Sequence, residues 1–487
     1  MKHIILTLIF MFSLCSVAFG ADYIVTLKDN VEISNKELEP ILEEKNIYLC
    51  DKDEAEKLYS EGAVLSISKD EPLVMPDFGN SEDFNAESSL IPMAAGYNDP
   101  YYSNEIYYEQ MSIMNYIDTY SPTGDVRIAV IDTGVNRDHV DFASSKIETG
   151  YNFITNSTDT ADLYRHGTMV TSLICAAAND GVGVAGIAPN ATIVPLVALT
   201  KIDGENKGTT STLIKAIRAA AEQYDCKIIT TSLGVKTNST AMEEAVDYAL
   251  SKGIIVISAA GNSGDNADPT IASELSYPAS YNGVISVGAT DLSYNRATYS
   301  QKNTEVDVVA FGGNLTMPSN ININQYVSLK GTSFSTPVIA GITALFVSMH
   351  PDITPEEYAY VIKASAKDIG VLGASDFMGY GMPDCMEMEK AYSSLNNGDV
   401  YVSPFYTYIS DNNKIVANAK ISSFNNVKKA QLVTVYNEYS PFYKIIDLSF
   451  EDGFAWTLVE NIQEKGIRCF VIEDIDNLKS LSDVRIN

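Results

Sequence analysis

The chain has 487 residues, 46% hydrophobic and 20% charged, a globular composition on a length too great for one ordinary domain, so two to four units are expected. A formal net charge of −30 sets nucleic acid and anionic membrane surfaces aside as main partners, because both would repel it, and suits hard cations such as calcium as well as plain solubility. Six cysteines without CxxC spacing offer no thiolate metal site, and sequence leaves open whether they pair or stay as isolated buried thiols.

From the N-terminus, MKHIILTLIFMFSLCSVAFG carries Lys2, an apolar run, then the small residues Ala18 and Gly20. That is the layout of a secretory signal peptide over 1–20, cleaved after Gly20, and it implies a secreted, extracellular protein. An uncleaved anchor is the alternative, but the run is short for a span, no later stretch reaches spanning length, and no stable membrane insertion is expected. Residues 21–97 read as a small α+β unit. YIVTLKD alternates like a strand, KELEPILEEKN and EAEKLYSEG read as short helices, and GAVLSISKDEPLVMP offers further strand. The acidic stretch DFGNSEDFNAESS then reads as an exposed linker. A compact exported segment before a cleavable linker suggests a pro-region; a permanent N-terminal domain is the other reading.

Residues 98–395 alternate strand and helix. DVRIAVIDTG, ATIVPLVAL, KIITTSL, GIIVISAAGN and GVISVGAT are near-continuous apolar runs, as in buried parallel strands. STLIKAIRAAAEQY and TAMEEAVDYALSKG are helices between them, which predicts a mostly parallel sheet covered on both faces. After SLNNGD, residues 396–487 turn rich in Tyr, Phe and alternating patterns, with the only tryptophan, Trp456, and read as a small β domain.

Four histidines narrow the search for a catalytic base. His3 falls in the leader, His350 in the turn SMHPDIT, and His139 in RDHVDF, where local packing is the expected role. His166 opens an apolar helix beside Gly167. Asp132 ends the apolar strand AVID, at the strand edge where open α/β sheets form ligand sites. A carboxylate there needs a hydrogen-bonding partner, and an imidazole Nδ1–H supplies one. A turn-capping aspartate is the bland alternative. Ser333 lies in GTSFSTP, which turns into an apolar helix with Pro337 near its first turn, so its Oγ and N–H can both face a ligand. Capping alone, with Ser335 or Thr336 as competitors, remains open. Asn262 closes the strand IIVISAAGN, where its amide can donate to a developing oxyanion.

DTG, HGT, SLG, AAGN and GTS followed by STP, in this order, resemble the subtilisin-like serine proteases, and NDPYYS, YPASYNGVISVGA and GYGMPD extend the resemblance over 98–395. The resemblance implies an α/β three-layer sandwich with a mainly parallel central sheet. It implies Asp132 as the group that orients the imidazole, His166 as general base then acid, and Ser333 as nucleophile. Asn262 and the Ser333 N–H then form the oxyanion hole. Ser232, Leu233 and Gly234 become the edge that pairs with an extended substrate, and Ala259, Ala260, Gly261 and Ser276 line the S1 pocket. No acidic group sits at those positions, so an apolar or broad P1 preference is expected. A structural calcium ion is implied as well, held by Asp141, the Asp180 side chain and the carbonyls of Ala178, Val182 and Val184. A plain Gly-rich turn is the other reading of that loop. The 21–97 unit is similar to the family's inhibitory pro-region, with cleavage expected in 90–97. The implied partners are protein or peptide substrates and the chain's own pro-region.

The sequence departs from the family at Met169, where His is usual after HGT, and at Phe334-Ser335, where Met-Ala is commoner. A catalytically silent peptide binder is disfavoured because every catalytic group has a candidate, an acid-active relative because His166 fills the base position, and an esterase because of the SLG segment.

Overall fold

The computed structural model describes residues 23–29, 31, 38–73, 84–85, 96–319, 322–369, 377–397 and 401–403, and beyond these the backbone of seven strands between 406 and 486. The leader at 1–20, most of the 77–89 linker and most of the 90–97 cleavage segment lie outside the described residues. Two compact units result, Met1–Glu71 and Pro72–Asn487.

The first unit is a four-stranded antiparallel sheet in the order Glu39–Leu42, Ile47–Cys50, Tyr23–Leu27, Val64–Lys69. Helix Lys52–Ser60 covers it and buries Ala55 and Leu58 against Val25, Leu27, Tyr48 and Cys50. Asp51 caps that helix by accepting from Glu54 N at 2.8 Å. The segment KELEPILEEKN, expected as helix, instead forms the strand Glu39–Leu42 and a single 3₁₀ turn, Glu43–Lys45. Pro40 cannot join a helical ladder, and Asn46 closes the turn with φ 55°.

The second unit is built on an eight-stranded, wholly parallel sheet. Its longer strands are β1 (Arg127–Asp132), β2 (Thr192–Val197), β3 (Ile228–Thr231), β4 (Ile255–Ala259), β5 (Ile285–Thr290) and β6 (Val308–Phe311). They lie in the order β6-β5-β4-β3-β1-β2, with Lys146–Ile147 and Tyr151–Asn152 also pairing with β2. Almost every strand residue is buried, as a sheet covered on both faces requires. Helices α1 (His166–Cys175) and α4 (Thr332–Met349) pack together on one face, α2 (Thr210–Glu222) and α3 (Thr240–Ser251) on the other, giving a three-layer α/β sandwich. The chain reverses its direction of growth at β1, so a crevice is expected at the carboxyl ends beside it. Register fixes what stands there. Thr231 pairs with Ile131 on one side and Ser258 on the other, which sets Asp132, Ser232 and Ala259 in one row at the carboxyl edge of the sheet.

Helix α4 is buried from Thr332 to Val347. Its mean hydropathy of 1.4 and 18 residues would suit a membrane span, contrary to the expectation that no later stretch would, but 89% of it is buried inside the fold. A helix enclosed by protein is apolar all round for that reason. Its large side chains Phe334 and Phe346 each contribute about 1.5–3 kcal/mol of burial. Cys50, Cys175, Cys226 and Cys385 are free and buried. Burial pushes the Cys175 and Cys226 thiols up to about 12, which leaves them chemically quiet.

After helix Cys385–Asn397 the chain runs as antiparallel strands in two sheets, one centred on Ile415–Ser422 and one ordered Tyr443–Leu448, Ala430–Val435, Ile467–Glu473, Lys479–Ile486.

Candidate active site

Asp132, the last residue of β1, is only 1% exposed. Its Oδ1 accepts from Thr133 N at 2.7 Å and stands 2.6 Å from His166 Nδ1. A carboxylate can only accept, so Nδ1 carries the hydrogen and Nε2 is the basic nitrogen of the neutral ring. Gly167 lets α1 approach this closely, since a Cβ there would lie 2.2 Å from the Gly134 carbonyl oxygen.

The histidine is seated by a group the sequence reading passed over. Asp162 is buried and accepts through Oδ1 from Thr133 Oγ1 (2.9 Å), Tyr164 N (2.9 Å) and Arg165 N (2.7 Å), and through Oδ2 from Thr168 N (2.9 Å) and Thr168 Oγ1 (2.6 Å). Thr133 Oγ1 in turn accepts from Gly167 N at 2.8 Å. Arg165, at the N-cap of α1, sits at φ 84° and supplies no side-chain cap, so Asp162 caps the helix from the preceding loop. Burial raises the Asp162 carboxyl, and the hydrogen bonds from Thr168, Tyr164 and Arg165 oppose that rise. The signal available in sequence was an aspartate four residues before His166, in a stretch that reads as polar loop.

Ser333 is the second residue of α4 and fully buried, and its Oγ makes no hydrogen bond among the described residues. The next side chain, Phe334, packs its ring against His166 with centroids 5.7 Å apart. Ser335 Oγ and Thr336 Oγ1 donate to the Thr332 carbonyl at 3.1 and 2.7 Å, so neither caps the helix. Pro337, expected near the first turn, is the sixth residue and lies inside the helix. Asn262 stands three residues beyond the end of β4, in a turn that Gly261 permits with φ 111°. Its Oδ1 accepts from Thr332 N (2.8 Å) and Thr332 Oγ1 (3.0 Å), which turns the Nδ2 donor away from both.

Asn262 and Ser333 line one cavity of about 280 Å³. Its walls include every residue the sequence assigned to substrate: Ser232, Leu233, Gly234, Ala259, Ala260, Gly261 and Ser276. None of those positions is acidic, but Glu274, which the sequence did not place in the pocket, also lines it. Glu274 is neutralised by Lys236, another lining residue, at 2.5 Å. Gln301 braces the far wall by accepting from Ser263 N (3.0 Å) and donating to the Ile271 and Glu274 carbonyls (both 2.8 Å).

The other histidines lie outside this site. His139 is buried, with Nδ1 accepting from Asp141 N at 3.3 Å and Nε2 3.0 Å from the Gln325 carbonyl. His350 stands 3.0 Å from both Glu389 carboxylate oxygens.

The loop assigned to calcium folds over Asp141. Asp141 Oδ1 accepts from Tyr326 OH at 2.6 Å and Oδ2 from Val184 N at 3.4 Å, while Asp180 Oδ1 accepts from Val182 N at 2.9 Å. Asp99, which the sequence reading left unassigned, joins the loop by accepting from Asn179 N at 2.7 Å and Asp180 N at 3.3 Å. Burial, with the charges of Asp180 and Asp99, pushes the Asp141 carboxyl up to about 8. Asp99 is pushed to about 6, mainly by burial. Among the described residues no three His, Cys, Asp or Glu side chains converge as a ready metal cluster. The carboxylates of Asp141, Asp180 and Asp99 act on one another's charge here, and carboxylate oxygens are the ligand type that a hard cation takes.

The subtilase family profile matches residues 123–381. A thermophilic serine proteinase from Bacillus sp. (strain AK1) is 40% identical over 252 residues, covering 52% of this chain and 59% of the relative. Subtilisin DY from Bacillus licheniformis is 36% identical over 50% of this chain and 85% of its own length. Thermitase from Thermoactinomyces vulgaris is 34% identical over 52% of this chain and 85% of its own length. A solved protease structure from Pseudoalteromonas arctica covers 61% of this chain and 100% of its own, with a TM-score of 0.52 and 28% identity.

Proposed function

The chain belongs to the subtilase family of serine proteases, and from that premise we propose that it is a secreted endopeptidase working through Asp132, His166 and Ser333. The observation that carries the reading is the buried bond from His166 Nδ1 to Asp132 at 2.6 Å, with the His166 ring packed on the residue that follows Ser333. His166 Nε2 takes the proton from Ser333 Oγ as the oxygen attacks the scissile carbonyl. Asp132 stabilises the imidazolium that forms. Asn262 Nδ2 and the Ser333 N–H hold the oxyanion. His166 then returns the proton to the leaving amine, and water releases the acyl group from Ser333 by the same route in reverse. The substrate backbone lies along Ser232, Leu233 and Gly234, and its P1 side chain enters the cavity beside Ala259, Ala260, Gly261 and Ser276. With Glu274 paired to Lys236, that cavity favours apolar or broad P1 side chains.

A calcium ion, held by Asp141, Asp180, the loop carbonyls of Ala178, Val182 and Val184, and also Asp99, supplies positive charge that ties this loop to the fold. Residues 21–97 act as a pro-region that the enzyme removes from itself. The test is expression of the precursor and of Ser333→Ala, following self-cleavage at 90–97 and hydrolysis of an unstructured protein. Loss of both in the variant is expected. Equal activity in the two sinks the assignment.

A further inference from the structure

In a regular helix the Ser333 carbonyl would accept from the amide four residues on. That residue is Pro337, which has no N–H. The Ser232 hydroxyl, just past the end of β3, donates to this carbonyl at 2.9 Å. Both side chains are buried, and the nearby hydroxyls of Ser335 and Thr336 are committed to the Thr332 carbonyl. The first turn of α4 has no side-chain cap of its own, since Gly331 is its N-cap. Two outside groups therefore hold that turn: Asn262 on the Thr332 amide and Ser232 on the Ser333 carbonyl.

We propose that Ser232 is a positioning residue for Ser333, its hydroxyl standing in for the amide hydrogen that Pro337 lacks and fixing the turn that aims Ser333 Oγ and N–H into the cleft. This rests on Ser333 being the nucleophile. Ser333 Oγ makes no hydrogen bond among the described residues, so its aim depends on the backbone beneath it. Ser232 also lines the cavity, so one residue meets the substrate and braces the residue that attacks it.

A double-mutant cycle on the full-length precursor tests this. Ser232→Ala leaves the carbonyl without its donor, and Pro337→Ala restores an amide four residues on that can reach it. Wild type, both single variants, the double variant and Ser333→Ala are compared by kcat and KM on a peptide amide, by labelling rate with a fluorophosphonate, and by melting temperature. Ser232→Ala is expected to lower kcat and labelling roughly 5- to 150-fold, the rate equivalent of about 1–3 kcal/mol for an unsatisfied buried acceptor, with KM changed much less. The double variant is expected to return to within about threefold of Pro337→Ala, since the two substitutions act on one bond and couple. Should Ser232→Ala fail to fold, a folded and active double variant still supports the proposal, and a folded but slow one overturns it. Unchanged kcat in Ser232→Ala also overturns it. Labelling that persists in Ser333→Ala would instead overturn the assignment of the nucleophile, and this inference with it.

Discussion

Replacing Asp162 with asparagine would show how much of the site depends on a residue that touches no substrate. The carboxylate collects five hydrogen bonds from Thr133, Tyr164, Arg165 and Thr168, and so joins the end of β1 to the start of α1. Asparagine keeps one oxygen, which can serve the three donors on the Oδ1 side. Its amide then faces Thr168 N, and while the Thr168 hydroxyl can turn to accept, the buried backbone amide cannot. That orphaned donor costs about 1–3 kcal/mol, and the bonds that remain lose their charge assistance, so a total near 3 kcal/mol is expected. For a unit of this size that corresponds to a melting temperature lower by roughly 3–5 °C. The loop also seats His166, so kcat on an unstructured peptide should fall roughly 10- to 100-fold, the order expected when a catalytic base is misplaced. Thermal melting and steady-state kinetics on the same preparation measure both. A variant that melts within about a degree of wild type with kcat intact would refute the assigned role of Asp162.

Asn262→Asp keeps the acceptor for Thr332 but removes the donor, so kcat should drop about 10²–10³-fold while the melting curve moves little; unchanged kcat would exclude Asn262 from the oxyanion hole. Calcium at about 100 times its dissociation constant should add ~2.7 kcal/mol, or roughly 3–4 °C in melting temperature, and Asp141→Asn should abolish the increment. A chelator that leaves the melt of the wild type unchanged removes calcium from the account. Glu274→Gln frees Lys236 from its ion pair, so cleavage after acidic P1 residues should rise relative to apolar ones in a peptide panel; a panel profile that does not move shows that the pair lies outside S1. Burial raises the Glu389 carboxyl, but hydrogen bonds from His350 and Tyr116 overcome this and hold it below its ordinary 4.5. A carboxyl lowered on folding stabilises above its unfolded value and loses that stability as pH falls through 4.5 toward the folded one. Glu389→Gln should therefore lower stability near neutrality and flatten its decline below pH 4.5, which melting curves across pH 3–7 would reveal. A parallel decline in both proteins would contradict it.

The parallel sheet was legible because strands buried on both faces must be apolar throughout, as DVRIAVID and GIIVIS are. Asp132, His166, Asn262 and Ser333 stood out because each is polar at the end of an apolar segment. What escaped reading depends on partners distant in the chain. Asp162 sits in a polar loop, and only the fold wraps donors around it. Glu274 and Lys236 come from separate loops, so a pocket imagined from SLG, AAG and Ser276 alone left their charges out. KELEPILEEKN has helix-forming composition, but Pro40 and pairing with Ile47–Cys50 decide for strand. Pro337 was visible, but its place inside α4 depends on where the helix starts, a boundary that sequence fixes only loosely.

The register that lines up Asp132, Ser232 and Ala259 also governs when the site comes into being. Parallel neighbours join only through long crossovers, so the sheet is rich in contacts between residues far apart in sequence, and such chains fold slowly. A growing chain that has emerged as far as β4 holds the carboxylate and the imidazole but no hydroxyl to activate. Ser333 arrives on the helix that covers β3, β4, β5 and β6, after all of them have been synthesised. On the proposed assignment, cutting power is thus withheld from every chain not yet synthesised as far as α4, the helix that brings Ser333 together with the core side chains Phe334 and Phe346.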